Sequence, residues 1–335
     1  MNKILITGGA GFIGSTVASA LTDQGITPVI LDDFSKGRRE FVVDRVFYEG
    51  DIADQALIDR VFTEHPDIDA ALHCAAKIVV PESVAQPLRY YRENVAKTVD
   101  LLDGLERNGC RRVVFSSSAS IYAPTLDARV DESSPVAAAS PYARTKQMME
   151  QVLHDWSTAS PVRVIALRYF NPIGADPKLR TGLQDLNPTH ALGKLIEAHT
   201  QGTPFTITGV DWATRDGSGI RDYIHIWDLA RAHIAALTRF DEVVRPDADD
   251  RYRVINIGTG QGTTVRELVS AFEDAVGQNL AVREAEPRPG DVIGCYTASD
   301  NAHRLLGWTA QHTINDGVRD ALAWRAKWAA QLAAG

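Results

Sequence analysis

A short apolar run at the start of the chain ends in Thr7-Gly8-Gly9-Ala10-Gly11-Phe12-Ile13-Gly14, and a helical pattern follows at once. This segment constrains the fold more than any other. Read from Gly9 it is G-x-G-x-x-G; read from Gly8 it is T-G-x-x-G-x-x-G. Glycines let a strand turn tightly into a helix and let the backbone come close to a pyrophosphate. The helix N-terminus then offers unpaired N–H groups to that anion. Asp32 ends the next apolar run, 18 residues after Gly14. A carboxylate there suits the two hydroxyls of an adenosine ribose and repels a 2′-phosphate. NAD is therefore expected rather than NADP, although Lys36, Arg38 and Arg39 are cations that would favour NADP.

The pattern continues beyond the turn. Residues 4–7, 28–32, 70–73, 112–117 and 162–168 are short, β-branched and apolar almost throughout, as strands covered on both faces should be. Residues 15–24, 55–64, 86–107 and 142–157 have helical spacing. Such alternation predicts an α/β fold of the Rossmann type, a doubly wound parallel sheet. With 335 residues, and about 150 expected per domain, two lobes are anticipated. Residues 1–170 form the dinucleotide-binding domain, and 171–335 a smaller mixed α/β lobe whose strands can interleave with the first. Pro172, Gly174, Pro177, Gly182 and Pro188 make 171–190 a long structured loop, and 211–219 reads as a second. Helices are expected near 192–200, 228–240 and 265–275.

Charge excludes some functions. The chain has 35 Lys+Arg against 43 Asp+Glu, a net −8, which disfavours nucleic-acid binding through bulk positive charge. An anionic ligand must then be met by a few placed arginines. Cys74, Cys110 and Cys295 are scattered, with no metal-ligand spacing, so neither a metal site nor a disulfide framework is expected. A reducing cytoplasm is the corresponding location. The N-terminus turns glycine-rich too soon for a signal peptide, and no apolar run is long enough to span a membrane.

Two further segments carry chemistry. Tyr142 and Lys146 stand at i and i+4 on one expected helix and share a face. A free tyrosine, with a pKa near ~10, is a poor base at neutral pH. A neighbouring ammonium and a cationic nicotinamide would both stabilise its phenolate. Ser116, Ser117 and Ser118 end a strand, where hydroxyls reach the C-terminal edge of the sheet.

With these residues in view, the chain resembles the extended short-chain dehydrogenase/reductases, and within them the UDP-galactose 4-epimerases. The resemblance rests on Gly8 to Gly14, Gly50-Asp51-Ile52, Glu82-Ser83-Val84, Phe115-Ser116-Ser117-Ser118-Ala119, and Ser140-Pro141-Tyr142 with Lys146. It continues in Arg168-Tyr169-Phe170-Asn171-Pro172-Ile173-Gly174, Arg221-Asp222-Tyr223-Ile224-His225 and Arg288-Pro289-Gly290-Asp291. The Arg168 and Arg221 segments are closest to the epimerase subgroup.

The resemblance implies a 4-epimerase that interconverts UDP-glucose and UDP-galactose, and also their N-acetylated counterparts, through a 4-keto sugar with tightly held NAD. It implies Tyr142 as base, Lys146 as its electrostatic helper and Ser118 as the hydroxyl on the sugar O4. NAD would be held by Gly8, Gly11, Phe12, Ile13 and Gly14 at the turn, and by Asp32, Asp33, Phe34 and Ser35 at the ribose. Asp51 and Ile52 would meet the adenine. Cys74, Ala75, Ala76 and Lys77 would line the pyrophosphate side, with Asn94 and Phe170 nearer the nicotinamide. The UDP-sugar would meet Asn171, His190, Arg221, Arg288, Asp291 and Cys295. Cys295, small beside the sugar, would leave room for a 2-acetamido group. A homodimer is also implied, through the helices at 86–107 and 142–157, whose faces carry Leu88, Tyr91 and Met148.

The chain departs from the family pattern in places. Ala123 follows Tyr122 where glycine is frequent, Ala143 follows Tyr142, and Ile78 stands where many members have lysine. Competing readings are a 4-epimerase for UDP-pentoses or UDP-uronates, a 4,6-dehydratase, and a non-catalytic NAD(H)-sensing protein. A dehydratase needs an Asp-Glu pair after Ser118, where Ala119-Ser120 stand. The sensor needs only the glycine turn, and retention of Ser118, Tyr142 and Lys146 argues against it.

Overall fold

In the computed structural model, which describes residues 1–185, 188–247, 249–287 and 292–334, seven parallel strands form the central sheet. They are β1 (Lys3–Thr7), β2 (Thr27–Asp32), β3 (Val46–Glu49), β4 (Ile68–His73), β5 (Arg112–Ser118), β6 (Arg163–Tyr169) and β7 (Tyr252–Ile257). Their spatial order is β7-β6-β5-β4-β1-β2-β3. The order reverses between β1 and β4, and a crevice opens there at the carboxyl ends of the strands.

Alternating residues of each strand face opposite layers. Ile4, Ile6, Ile30, Leu72, Val114 and Ile165 pack under the helices Phe12–Asp23 and Ile226–Thr238. Leu5, Val29, Leu31, Ala71, Val113 and Phe115 pack under Gln55–Glu64, Lys97–Arg107 and Pro141–Ala159. Both faces are covered, which is why the inner strands are apolar almost throughout. Each such Val, Ile, Leu or Phe side chain contributes about 1.5–3 kcal/mol on burial.

Three elements differ from the expected pattern. The helix anticipated over 86–107 is three pieces: Pro87–Tyr91, a π-helical turn Arg92–Ala96, and Lys97–Arg107. Pro87 starts the first piece, and the widened turn brings the buried Asn94 side chain inward. Strand β3 was not anticipated; it is an edge strand whose buried pattern is confined to Tyr48 and the half-buried Val46. Strand β7 comes from the second half of the chain and pairs with β6 from Tyr252↔Val164 to Ile257↔Tyr169.

The remaining residues build a second core around Leu195, Ile207, Tyr223, Phe272 and Val318. It joins the helices Ala191–Gln201, Val265–Val276 and Ile314–Ala334. Three two-stranded pairings carry its loops toward the crevice. Asn171–Ile173 lies parallel to Tyr223–His225, Ile220–Arg221 runs antiparallel to Thr263–Thr264, and Arg129–Val130 lies parallel to Tyr296–Thr297. No helix among the described residues is long and apolar enough to cross a membrane.

Candidate active site

The glycine turn follows β1 directly. A Cβ on Gly14 would stand 2.3 Å from the Gly8 carbonyl oxygen, and one on Gly8, at φ 72°, 2.7 Å from the Ala75 nitrogen. Only glycine permits this contact between the turn and the segment after β4. The helix Phe12–Asp23 begins with Gly11 as its cap, and no side chain bonds its first N–H groups. Those donors are left for an anion.

Asp32 is buried at the end of β2 and accepts the Ala10 N–H at 2.9 Å and the Phe34 N–H at 2.8 Å. Burial raises its pKa, while the two backbone donors oppose that rise. A carboxylate has about four acceptor sites, so it keeps capacity for ribose hydroxyls. Asp33 accepts the Ser35 N–H, and Lys77 Nζ donates to Ser35 Oγ at 2.9 Å. Arg38 lies over the Trp328 ring, and Arg39 lies 4.5 Å from the Phe34 ring centroid while pairing with Glu49 at 2.5 Å. Two of the three cations that would favour a 2′-phosphate are thus turned to other partners. Farther along the rim, Asp51 pairs with Lys97 at 2.6 Å and Ile52 is buried. A cradle without side chains, an uncapped helix end and a carboxylate beyond the next strand together fit NAD.

The reactive side chains converge from two elements. Ser140 caps the helix Pro141–Ala159 by accepting the Ala143 N–H at 3.2 Å, and Pro141 occupies its first turn. Tyr142 therefore sits at the mouth of the crevice. Ser118 ends β5; its hydroxyl meets Ser120 Oγ at 2.9 Å and lies close enough to the Tyr142 phenol to act on it. Burial raises the Tyr142 pKa and the Ser118 hydroxyl works against it.

Lys146 shares that helix face but does not turn to the phenol. Its ammonium donates to the Ser116 carbonyl at 2.7 Å and stands 4.8 Å from the Phe115 ring centroid. Burial lowers its pKa to about 8, and the nearby Cys74 and Glu150 act in the other direction. The expected direct lowering of Tyr142 by this ammonium is therefore absent from this arrangement. Cys74 meets Ser116 Oγ at 3.1 Å, and burial pushes its thiol up to about 11. Ala75 and Ala76 follow it, half-buried beside the glycine turn. Asn94 is satisfied by protein: it accepts the Lys77 N–H at 2.8 Å and donates to Lys77 O and Thr145 Oγ1.

On the lobe side, Arg221 Nη1 donates to the carbonyls of Ile220 and Ile293 at 2.7 and 2.8 Å. It pairs with no carboxylate among the described residues. Asn171 lies opposite Tyr223 in the adjoining strand pair, and its N–H donates to the Asp222 carbonyl. Cys295 and Phe170 pack with Ala119 and Tyr122, so the cysteine lies beside the segment that carries Ser118. His190 caps the helix Ala191–Gln201 through Nδ1 and lines a pocket with Phe12, Pro172 and Trp324. Burial lowers its pKa to about 4, so the imidazole is neutral. Arg288 and Asp291 lie outside the described residues.

The sequence matches the NAD dependent epimerase/dehydratase family over residues 4–258. The chain belongs to this family. It is 42% identical over 325 residues to the UDP-glucose 4-epimerase of Azospirillum brasilense, covering 96% of this chain and 91% of that one. Among solved structures it is similar to the UDP-glucose-4-epimerase of Stenotrophomonas maltophila with bound NAD and formylated UDP-arabinopyranose. That pair shares 34% identity, a TM-score of 0.92 and full coverage of both chains. The UDP-Glc/GlcNAc 4-epimerase of Campylobacter jejuni is also similar, with 32% identity, a TM-score of 0.82 and coverage of 98% and 100%.

Two features of this family member escaped sequence reasoning. Asp222 is a buried hub: Oδ1 accepts Thr259 N–H and Oγ1–H at 2.8 and 2.6 Å, and Oδ2 accepts Gly260 N–H and Thr297 N–H at 3.1 and 3.3 Å. Glu150 is buried against Arg168. Its spacing of eight from Tyr142 and four from Lys146 is the signal that could have found it.

Proposed function

We infer that this chain is a nucleotide-sugar 4-epimerase that interconverts UDP-glucose and UDP-galactose with NAD. The observation that carries the reading is the meeting of Ser118 and Tyr142, from separate elements, above a cradle that fits NAD. Ala119 and Ser120 follow Ser118, and Ser120 is its hydrogen-bond partner, so no Asp-Glu pair stands ready for water elimination.

NAD, when bound, accepts a hydride from the sugar C4 and returns it. Ser118 holds O4, and Tyr142 as phenolate takes the O4 proton and gives it back to the epimer. Lys146 supplies positive charge one helical turn away; once it turns from Ser116 toward the ribose, that charge favours the phenolate. Glycines 8, 11 and 14, with Phe12 and Ile13, meet the pyrophosphate, and Asp32 to Ser35 hold the ribose. Asp51 and Ile52 face the adenine, Cys74 to Lys77 the pyrophosphate side, and Asn94 and Phe170 the nicotinamide half. Asn171, His190, Arg221, Arg288 and Asp291 grip UDP, while Cys295 leaves the sugar free to turn over. The division at residue 170 sets the NAD half before it and the UDP-sugar half after it, with β7 and the helix Ile226–Thr238 returned to the sheet.

The protein works in the cytoplasm, where its three free cysteines stay reduced. It forms a homodimer: Leu88 and Met148 are exposed on helices that flank one another, with Tyr91 half-buried beside them. Light scattering at a mass near 36.6 kDa would reject the dimer.

The activity is tested by incubating the purified protein with a panel of UDP-sugars and no added cofactor. Interconversion of UDP-glucose and UDP-galactose is expected. NADH accumulating in proportion to added NAD would mean a dehydrogenase instead.

A further inference from the structure

Below Tyr142 and Lys146, the same helix stripe carries a third polar side chain that the mechanism above leaves idle. Glu150 is buried, as is its partner Arg168 on β6. Arg168 Nε donates to Oε1 at 2.9 Å and Nη2 to Oε2 at 2.6 Å, a bidentate pair. Its Nη1 donates to Tyr122 Oη at 3.0 Å, and that hydroxyl donates to Asn256 Oδ1 at 2.6 Å. The Ser117 hydroxyl closes the arrangement by donating to Glu150 Oε1.

Burying three charges together, two of them one helical turn apart on the helix and the third on β6, is costly unless their geometry compensates. Ser117 lies between Ser116, whose carbonyl takes the Lys146 ammonium, and Ser118, which meets Tyr142. The helix Pro141–Ala159 is thus held to the end of β5 by Lys146 on Ser116 and by Glu150 on Ser117, and the second contact is the one that sets where Tyr142 stands relative to Ser118 once Lys146 turns to the ribose. Around Lys146, the end of β4 presents His73 and Cys74, and its own helix presents Glu150. Burial keeps the His73 imidazole neutral and the Cys74 thiol protonated at pH 7. The elements around Glu150 present Arg168, Ser117 and the half-buried Tyr252. The Glu150 carboxylate acts on Lys146 and favours its ammonium.

We propose that Glu150 is a positioning residue for the epimerase: clamped by Arg168 and Ser117, it locks the catalytic helix onto β5 and supplies the negative charge beside the Lys146 ammonium. This rests on the 4-epimerase reading. The sign of its effect follows from charge. An anion near a lysine favours the ammonium, so neutralising Glu150 lets Lys146 lose its proton at lower pH. Activity then falls first on the alkaline side.

The test uses NAD-loaded protein purified as wild type, Glu150→Gln, and Glu150→Gln/Arg168→Gln, with kcat and KM for UDP-galactose followed from about pH 6 to about pH 9. The double variant leaves neither member of the Glu150–Arg168 pair buried without the other and guards against misfolding of the single one. In Glu150→Gln the alkaline limb of kcat should move down by about one pH unit, so that the ratio to wild type falls roughly tenfold across it while KM holds. A smaller shift in the same direction is expected of the double variant. A kcat lowered by one constant factor at every pH, or unchanged, overturns the proposal, and so does failure of both variants to fold. Wild-type protein that epimerises no UDP-hexose would instead overturn the reading beneath it.

Discussion

Replacing Asp222 with asparagine perturbs the site without touching a reacting atom. The carboxylate takes four donors, two on each oxygen. Asparagine has one acceptor oxygen, so its amide must face one of these pairs. Facing Gly260 and Thr297 would orphan two backbone N–H groups. Facing Thr259 orphans one, because the Thr259 hydroxyl can rotate and accept from the amide. The second orientation therefore wins. One buried, unsatisfied N–H costs about 1–3 kcal/mol, and the three remaining bonds lose their charge assistance. Part of this is offset because burial already disfavours the Asp222 carboxylate, raising its pKa. A net loss of about 2 kcal/mol remains, which at roughly 2 °C per kcal/mol for a large chain lowers Tm by about 4 °C. The hub joins Arg221's neighbour to Thr297, two residues past Cys295, so the sugar side should loosen and the NAD side should not. Differential scanning fluorimetry on NAD-loaded protein gives Tm, and steady-state assays should show KM for UDP-galactose raised several-fold with kcat within about twofold. An unchanged Tm, or loss of NAD with KM intact, would refute the argument.

Further outcomes can be read from the same preparation. Tyr142→Phe should lose at least ~10²-fold in kcat while still purifying with NAD and binding UDP by calorimetry; near-normal turnover would remove Tyr142 as the base. Cys295→Tyr should suppress turnover of UDP-N-acetylgalactosamine far more than that of UDP-galactose, and equal effects would sink the idea that this position gates the acetamido group. Asp316, at the start of the C-terminal helix, is held at about 2 by the Thr313 N–H and hydroxyl and by Arg319. Its contribution to the folded state is complete above the ordinary carboxyl value and is lost as pH falls toward about 2. Hydrogen exchange over residues 314–318 should accelerate in that window, and Asp316→Ala should abolish the change.

Local pattern was enough to place five of the seven strands, the glycine turn, Asp32 and the Tyr142–Lys146 stripe. Strand and helix periods are written within a few residues, and a glycine-rich turn or an i, i+4 pair is a short-range signal. The direction of Lys146 was not legible, because its acceptor is a backbone carbonyl 30 residues away. Nor was the break in the helix around Asn94, which answers to Lys77 and Thr145 on other segments. His190 as a helix cap, Asp222 as the hub of three loops, and the clamp of Arg168 on Glu150 depend in the same way on what the fold brings alongside. β7 makes the point at the scale of the sheet: its apolar run is ordinary, and only its pairing with β6 across about 90 residues makes it the last strand. Periodicity and residue type determined which elements this chain forms and which cofactor its first turn suits. Partner choice among distant buried polar groups was decided in tertiary structure, because a buried charge must be satisfied by whatever the packed chain places within about 3 Å of it.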